Sequence, residues 1–282
     1  MVEKISPGLA ETERSPERHH VFSPLDAFRS PETTAAARRK ISMMLTEGNL
    51  LPPDICSKLT ARMIEAGRTA KTAAEFEKRC QQAIDEEGAS QAISENFDDR
   101  YGRARFLSNL VGPYLEGDVL DVGSGDGLVG QIVSNEHGVD TTLVDVVDIN
   151  RTELPLVIFD GENLPLPSKC RGTVMLIGSL HHGPKPMQVL TEAVRVAQKR
   201  IIIVEPVCAK RTPEDILSAK LIDWMISRVM KRDDVPCPAN ILSAEEWRET
   251  FKKMGLKLVG SHDFDNGNDN VSERSWMFVV DV

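Results

Sequence analysis

The chain has few features that would cross-link it or bind a metal. Its 282 residues include five cysteines, an odd number, at positions 56, 80, 170, 208 and 237. No two of them have C-x-x-C or zinc-ligand spacing. We therefore expect reduced thiols and a cytoplasmic location, because disulfides persist in oxidising compartments. No metal site is predicted, since no group of ligand residues stands together in the sequence.

Long apolar runs and an excess of positive charge are also missing. Bare apolar stretches such as IIIV at 201–204 fall far short of the roughly 20 residues that a membrane helix needs, so no membrane span is expected. The first 20 residues include four glutamates and no apolar core, so neither a signal nor a transit peptide is expected. With 34 basic and 43 acidic residues the net charge is −9, which argues against a broad nucleic-acid interface.

Composition and periodicity divide the chain into three parts. Residues 1–30 are rich in proline, serine and charge and predict a flexible tail. Residues 31–97 contain three helical patterns with modest apolar faces, which predict an N-terminal helical cap packed on the main domain. Residues 98–282 form the main domain.

Strand and helix patterns alternate in the main domain. Short apolar strands such as TTLVDV and RIIIVEP are separated by amphipathic helices such as KPMQVLTEAVRVAQ. This alternation predicts an α/β fold, a Rossmann-like parallel sheet covered on both faces. The last two strands are joined by the turn-rich DNGNDNVSER, so the final strand is expected to be antiparallel.

The stretch GDVLDVGSGDGLVGQIV holds two overlapping glycine patterns. Gly125, Gly127 and Gly130 fit the dinucleotide pattern G-x-G-x-x-G. Gly123, Gly125 and Gly127 fit G-x-G-x-G with Asp121 two residues before it. In the dinucleotide fold the strand runs straight into the first glycine. Here VLDV runs into Gly123, which favours the second pattern and places Gly130 inside a helix, where only close packing would justify it.

The second pattern resembles motif I of the class I S-adenosylmethionine-dependent methyltransferases. Further motifs follow in the family's order: LVDVVD, FDGENLPLP and LIGSLHHGPKPMQVLTEAVRV. The last is similar to the ubiquinone/menaquinone-biosynthesis-like small-molecule branch, known as methyltransferase type 11. The resemblance covers residues 100–282. It implies a seven-stranded sheet with an antiparallel last strand, S-adenosylmethionine as cofactor, and methyl transfer.

The resemblance also implies cofactor-binding positions. Asp121 and the backbone at Gly123 would hold the cofactor's amino-acid end. Asp145, rather than its competitor Asp148, would accept from both ribose hydroxyls, and Asp160 would accept from the adenine amino group unless it is a solvated loop residue. The remaining implied contacts line the same loops: Ser124, Gly125, Gly127, Val146, Gly161 and Gly178.

Few dedicated catalytic groups are expected, because methyl transfer mainly needs alignment and exclusion of water. His181 and His182 follow strand four, at the sheet edge where ligands bind, so either could act as a base or orient the acceptor. Alternatively, the two histidines only shape the pocket and take no part in the reaction. Glu205 ends strand five and would bind a cationic substrate, or alternatively serve as a capping carboxylate.

Two further segments, a possible substrate lid and the connection between the second and third strands, bear on the shape of the site. Residues 212–234 lie where such enzymes carry a substrate lid. Trp224, Met225 and Met230 in this segment would line a pocket or, as we favour, belong to the core. Only about ten residues separate the second and third strands, so the usual crossover helix is expected to be short or lost. The adenine side would then be open or covered by the N-terminal helices.

The sequence thus predicts methyl transfer to the O, N, C or S atom of a small metabolite. The alternatives are methylation of RNA or protein, a silent S-adenosylmethionine-binding partner protein, and a nicotinamide dehydrogenase. We expect no nucleic-acid partner, and the helical cap allows a homodimer.

Overall fold

The computed structural model describes residues 22–46, 51–97, 100–208, 212–231, 237–238, 240–264 and 274–282. The helices in these residues are α1 (Pro31–Thr46), α2 (Pro53–Thr69), α3 (Ala73–Glu86), α4 (Ser90–Phe97), α5 (Arg100–Val111), α6 (Leu128–His137), α7 (Pro186–Val196), α8 (Pro213–Met225) and α9 (Ala244–Lys253). The strands are β1 (Val119–Val122), β2 (Thr141–Asp145), β3 (Leu156–Ile158), β4 (Arg171–Ile177), β5 (Ala197–Cys208), β6 (Leu242–Ser243), β7 (Lys257–Phe264) and β8 (Arg274–Asp281). A π-helical turn, Ile226–Met230, continues α8.

The strands form one sheet in the order β3-β2-β1-β4-β5-β8-β7. Strands β1 to β5 are parallel, whereas β8 is antiparallel to both β5 and β7. The predicted α/β fold with an antiparallel last strand is confirmed. The short strand β6, which pairs with β5, is an eighth strand that the sequence pattern did not reveal, because two residues carry no periodic signal.

The central strands read as continuous apolar runs because helices bury both faces of the sheet. On one face α7 and α9 pack over a core that includes Leu176, Trp247 and Phe278. On the other face α5 and α6 cover Met175 and its neighbours. The sheet is therefore a rigid scaffold whose strand ends can position a site.

A separate hydrophobic core joins the N-terminal helices to α8. Phe76 of α3 lies between Phe28 and Trp224. Its ring centroid is 5.3 Å from that of Phe28 and 5.5 Å from that of Trp224. Met225 and Met230 are buried in the same core, so the prediction that this Trp and Met stripe is core is confirmed. We call α1 to α4, α8 and the π-helical turn the helical lobe.

The first described residues belong to the helical lobe as well. Pro24–Phe28 forms a 3-10 helix with Ser23 as its N-cap, and Ala27 is fully buried. The prediction of a flexible tail over 1–30 is therefore wrong at its C-terminal end, because this turn has apolar residues to bury. Residues 1–21 lie outside the described residues.

The connection from β2 to β3 has lost its helix, as its length predicted. Residues 146–155 form bends and irregular structure. Val146, Val147 and Ile149 expose at least half of their surface. This side of the sheet is thus open in the described part of the chain.

None of the helices in the described residues has the length and hydrophobicity that a membrane span requires.

Candidate functional site

The glycine loop leaves β1 and is tied to the end of β2. Gly123, Gly125 and Gly127 have φ values of 74°, 57° and 81°, in the region that favours glycine. The N–H groups of Gly123 and Ser124 donate to the carbonyl of Val144 at 2.8 and 3.2 Å. The loop therefore has the backbone conformation that the G-x-G-x-G pattern predicts.

The glycines of this stretch have different surroundings. A Cβ on Gly123 would lie 2.3 Å from the Cβ of Ser179, and a Cβ on Gly130 would lie 2.6 Å from Leu143 Cδ2. Close packing therefore explains the glycine inside α6. A Cβ on Gly125, by contrast, would meet no atom within 4 Å. Gly125 borders open space at the mouth of the loop.

Buried polar atoms without partners lie in and next to the glycine loop. Asp121 is 2% exposed. Within the described residues its Oδ2 has no hydrogen-bond partner, and neither do the hydroxyls of Ser124 and Ser179. Burial, with a contribution from Asp145, raises the pKa of Asp121 to about 7. Such orphaned groups are costly in a folded chain, and a polar ligand in the loop would satisfy them.

Asp145 ends β2 and supports the loop from the other side. Its Oδ2 accepts from Gly125 N at 2.8 Å, and its Oδ1 accepts from Val146 N at 2.7 Å. The carboxylate is buried, whereas Asp148 is exposed. Asp145 therefore lies beside the glycine loop, as its predicted contact with the ribose requires. An ionised carboxylate can accept about four hydrogen bonds, so Asp145 can still accept one from a hydroxyl group.

The predicted adenine side is an exposed rim. Asp160 accepts from the side-chain amide of Asn163 and from the N–H groups of Asn163 and Glu162, and these bonds lower its pKa to about 2. A Cβ on Gly161 would lie 3.4 Å from Val146 Cγ1, so the loop after β3 contacts the exposed Val146. Gly178 follows β4 with a φ of 59°. The adenine role of Asp160 stays a prediction.

The predicted acceptor side holds a buried charged cluster. His181 Nδ1 lies 2.5 Å from Glu205 Oε2, and His181 Nε2 lies 3.3 Å from Asp223 Oδ1. Burial alone would lower the pKa of His181, but the two carboxylates outweigh it and raise the pKa to about 10. Both ring nitrogens are engaged, so this geometry favours an orienting role for His181 over proton abstraction.

Glu205 has a structural role in this arrangement. Its Oε1 accepts from the N–H groups of Ser179 and Leu180 at 3.0 and 2.8 Å, and its Oε2 faces His181. The residue is 2% exposed, and β5 continues past it to Cys208. We correct the prediction that Glu205 ends the strand and binds a cationic substrate, because its oxygens are already used. The capping alternative fits instead.

His182 is the more accessible histidine. It is half-buried, and its ring centroid lies 4.0 Å from that of His181. Because His181 is held between two carboxylates, His182 is the better candidate for a group that meets a substrate. Its catalytic role stays a prediction.

Sequence reasoning missed two residues of this region. Asp223 lies on α8 between Ile222 and Trp224, and a carboxylate inside the apolar run LIDWM was the available signal. Arg103 lies on α5, and its Nη2 is 3.9 Å from the position of a Cβ on Gly178. No periodic signal separates Arg103 from the other basic residues of its helix.

Part of the sequence matches a known protein family, and the fold is similar to solved structures. Residues 120–204 match a family described as a methyltransferase domain. A chain from the complex between the Haloferax volcanii Trm112 methyltransferase activator and a methyltransferase superposes with a TM-score of 0.50 and 15% identity, covering 70% of this chain and 96% of that one. A SAM-dependent methyltransferase from Aquifex aeolicus has a TM-score of 0.47 and 17% identity, covering 68% and 98%. No curated protein matches the sequence.

The strand order and the glycine loop define a Rossmann-like methyltransferase fold. Residues 120–204, which include the loop, match the methyltransferase-domain family, so the chain carries a methyltransferase domain. Its cofactor is S-adenosylmethionine. The open space at Gly125 and the unpartnered Oδ2 of Asp121 fit a ligand with an ammonium group.

The raised pKa of Asp121 makes cofactor affinity depend on pH. Because the ammonium group of S-adenosylmethionine prefers the ionised carboxylate, affinity should rise as pH increases through about 7. Between pH 6 and 7 we expect the Kd to fall by about fivefold. Calorimetric titration with S-adenosylmethionine at several pH values between 6 and 7 measures this change in Kd.

Asp121→Asn is the matched control for that experiment. The cofactor's own amino group titrates near 8, and this contribution is shared by both proteins. The difference between their pH profiles therefore isolates Asp121. Parallel profiles would show that Asp121 does not face the ammonium group.

Proposed function

We propose that the chain methylates a small molecule bound between the glycine loop and the Leu180–His182 turn. The observation that carries this proposal is the contact of Gly123 with Ser179, where a Cβ on the glycine would lie 2.3 Å from the serine Cβ. This contact brings the cofactor loop beside the turn that carries His181 and His182. Both lie at the carboxyl edge of the sheet, where α/β folds bind ligands.

Residues of this chain would hold each part of the cofactor. Asp121 would accept from the ammonium group, Asp145 from the ribose hydroxyls, and Asp160 from the adenine amino group. Val146 offers an exposed apolar surface beside the adenine. Arg103, whose Nη2 lies 3.9 Å from the position of a Cβ on Gly178, would pair with the carboxylate of the cofactor. When bound, S-adenosylmethionine supplies a methyl group already activated by a positively charged sulfur.

The protein's contribution to the reaction is alignment and protection from water. Glu205 holds His181 through Nδ1 and fixes the turn through two backbone N–H groups. Asp223 joins that turn to α8, so we propose that the helical lobe acts as the lid over the acceptor. His182 would orient the acceptor or take its proton.

Burial and charge support a small acceptor over a macromolecule. The acceptor would meet His182 beside His181, Glu205 and Asp223, which are each at most 6% exposed, and so enclosed a setting suits a small molecule. The net charge of −9 disfavours RNA. A cytoplasmic location and a homodimer stay predictions.

Transfer from isotope-labelled S-adenosylmethionine tests the acceptor class. The protein is incubated with three fractions of a cell extract: small molecules, RNA and protein. We expect label in the small-molecule fraction, and its loss with Gly125→Val, which blocks the cofactor loop. Label in RNA or protein instead would contradict the proposal and favour the macromolecular alternative. Cofactor binding without label in any fraction would favour a silent binding protein.

A further inference from the structure

The cluster at His181 contains more ligand atoms than methyl transfer requires. A ring nitrogen of His181, a ring nitrogen of His182 and a carboxylate oxygen of Asp223 all lie within 4.8 Å of one another. His181 and Asp223 are each 6% exposed. The residues come from two parts of the fold, since both histidines follow β4 and Asp223 lies on α8. Sequence patterns predicted no metal site because about 40 residues separate these groups.

Asp223 has an unused buried oxygen. Its Oδ1 faces His181, but its Oδ2 has no hydrogen-bond partner among the residues that the structure describes. An unsatisfied carboxylate oxygen in the interior is costly, and a cation beside it would remove that cost. This orphaned atom points independently to a ligand of positive charge.

Glu205 places His181 as metal sites commonly place a histidine ligand. A ligating histidine usually donates its second ring N–H to a carboxylate, which fixes the orientation of the ring. Glu205 Oε2 lies 2.5 Å from His181 Nδ1, and this contact leaves Nε2 directed at Asp223. Glu205 is itself fixed by two backbone N–H groups.

We propose that His181 Nε2, His182 and Asp223 bind one divalent transition-metal cation, with Glu205 as the carboxylate that orients His181. Two imidazoles and one carboxylate are a ligand set typical of zinc and of non-haem iron sites. The cation takes the place of the proton between Nε2 and Asp223, and that proton passes to solvent. Three protein ligands leave a coordination position open to a further ligand.

The cation site goes beyond the proposed methyl transfer, because it can be tested without cofactor or acceptor. His181 Nε2 and Asp223 Oδ1 are already 3.3 Å apart, whereas ligand atoms as far apart as 4.8 Å must draw together around a cation whose bonds to nitrogen are near 2.0 to 2.1 Å. A bound cation would fasten α8 of the helical lobe to the turn after β4.

Calorimetric titration of chelator-treated protein with Zn²⁺ tests the site, and visible absorption with Co²⁺ reports its coordination. We expect one Zn²⁺ per chain and Co²⁺ bands of a four- or five-coordinate site. His182→Ala and Asp223→Asn should each weaken Zn²⁺ binding at least tenfold. Glu205→Gln should weaken it by about 10- to 100-fold, as removal of an orienting partner does elsewhere.

His262→Ala is the matched control, because His262 is exposed and bonded to Tyr114. It should bind Zn²⁺ like the wild-type chain. Circular dichroism checks that each variant is folded, and His182→Ala keeps the test decisive if Asp223→Asn does not fold. The proposal is overturned if the wild-type chain binds no stoichiometric Zn²⁺, or if His182→Ala binds it unchanged.

Discussion

Gly125→Val should weaken S-adenosylmethionine binding at least about 100-fold, equivalent to about 2.7 kcal/mol. Gly125 has a φ of 57°, and its side-chain direction faces open space at the loop mouth. A valine side chain would occupy the space assigned to the cofactor, and its branched Cβ would also strain this backbone conformation. Calorimetry with S-adenosylmethionine gives the change in Kd.

Gly138→Val separates these two effects. Gly138 ends α6 with a φ of 65°, and a Cβ there would also meet no atom within 4 Å. It therefore carries the same backbone strain outside the cofactor loop. We expect its cofactor affinity to match the wild-type value. Equal affinity of the two valine variants would remove the glycine loop from the binding site.

Glu205→Ala should lower the free energy of unfolding by about 3 to 5 kcal/mol, as removal of one partner from a buried ion pair does. The change leaves the N–H groups of Ser179 and Leu180 without their acceptor and leaves His181 without its Nδ1 partner. Urea denaturation in the presence of a chelator measures the effect without a contribution from bound metal.

The matched control is Glu116→Ala, which removes an exposed carboxylate from two ion pairs. Glu116 is 42% exposed and lies 3.6 Å from both Lys199 and Arg200. Removal of the Glu116 carboxylate should lower the free energy of unfolding by at most about 1 kcal/mol. If Glu205→Ala cost no more than this control, Glu205 would not hold the turn.

Much of the fold could be predicted because its signals are local. The strand VLDV running into Gly123, the helix after it and the short β2 to β3 crossover each follow from a few neighbouring residues. The two-residue strand β6 gave no such signal. The end of the tail was misplaced because the Pro24–Phe28 turn is stabilised by the distant α8, and sequence patterns do not reveal such contacts.

The site was harder to predict than the fold. Glycines and strand-end carboxylates such as Asp145 belong to a recurring loop, so their positions could be inferred from spacing. The partnership of His181 with Glu205 and Asp223 could not, because it joins three elements that are far apart in the sequence. The sequence showed that His181 is near the site, but only the packing showed that both its nitrogens are engaged.

The most direct test of the central claim is calorimetric titration of the purified chain with S-adenosylmethionine and S-adenosylhomocysteine, with NADH as the comparison. A glycine loop entered at Gly123 and lined by Asp121 and Asp145 predicts micromolar binding of the first two and none of NADH. Binding of NADH alone would contradict the account and return the loop to the dinucleotide class.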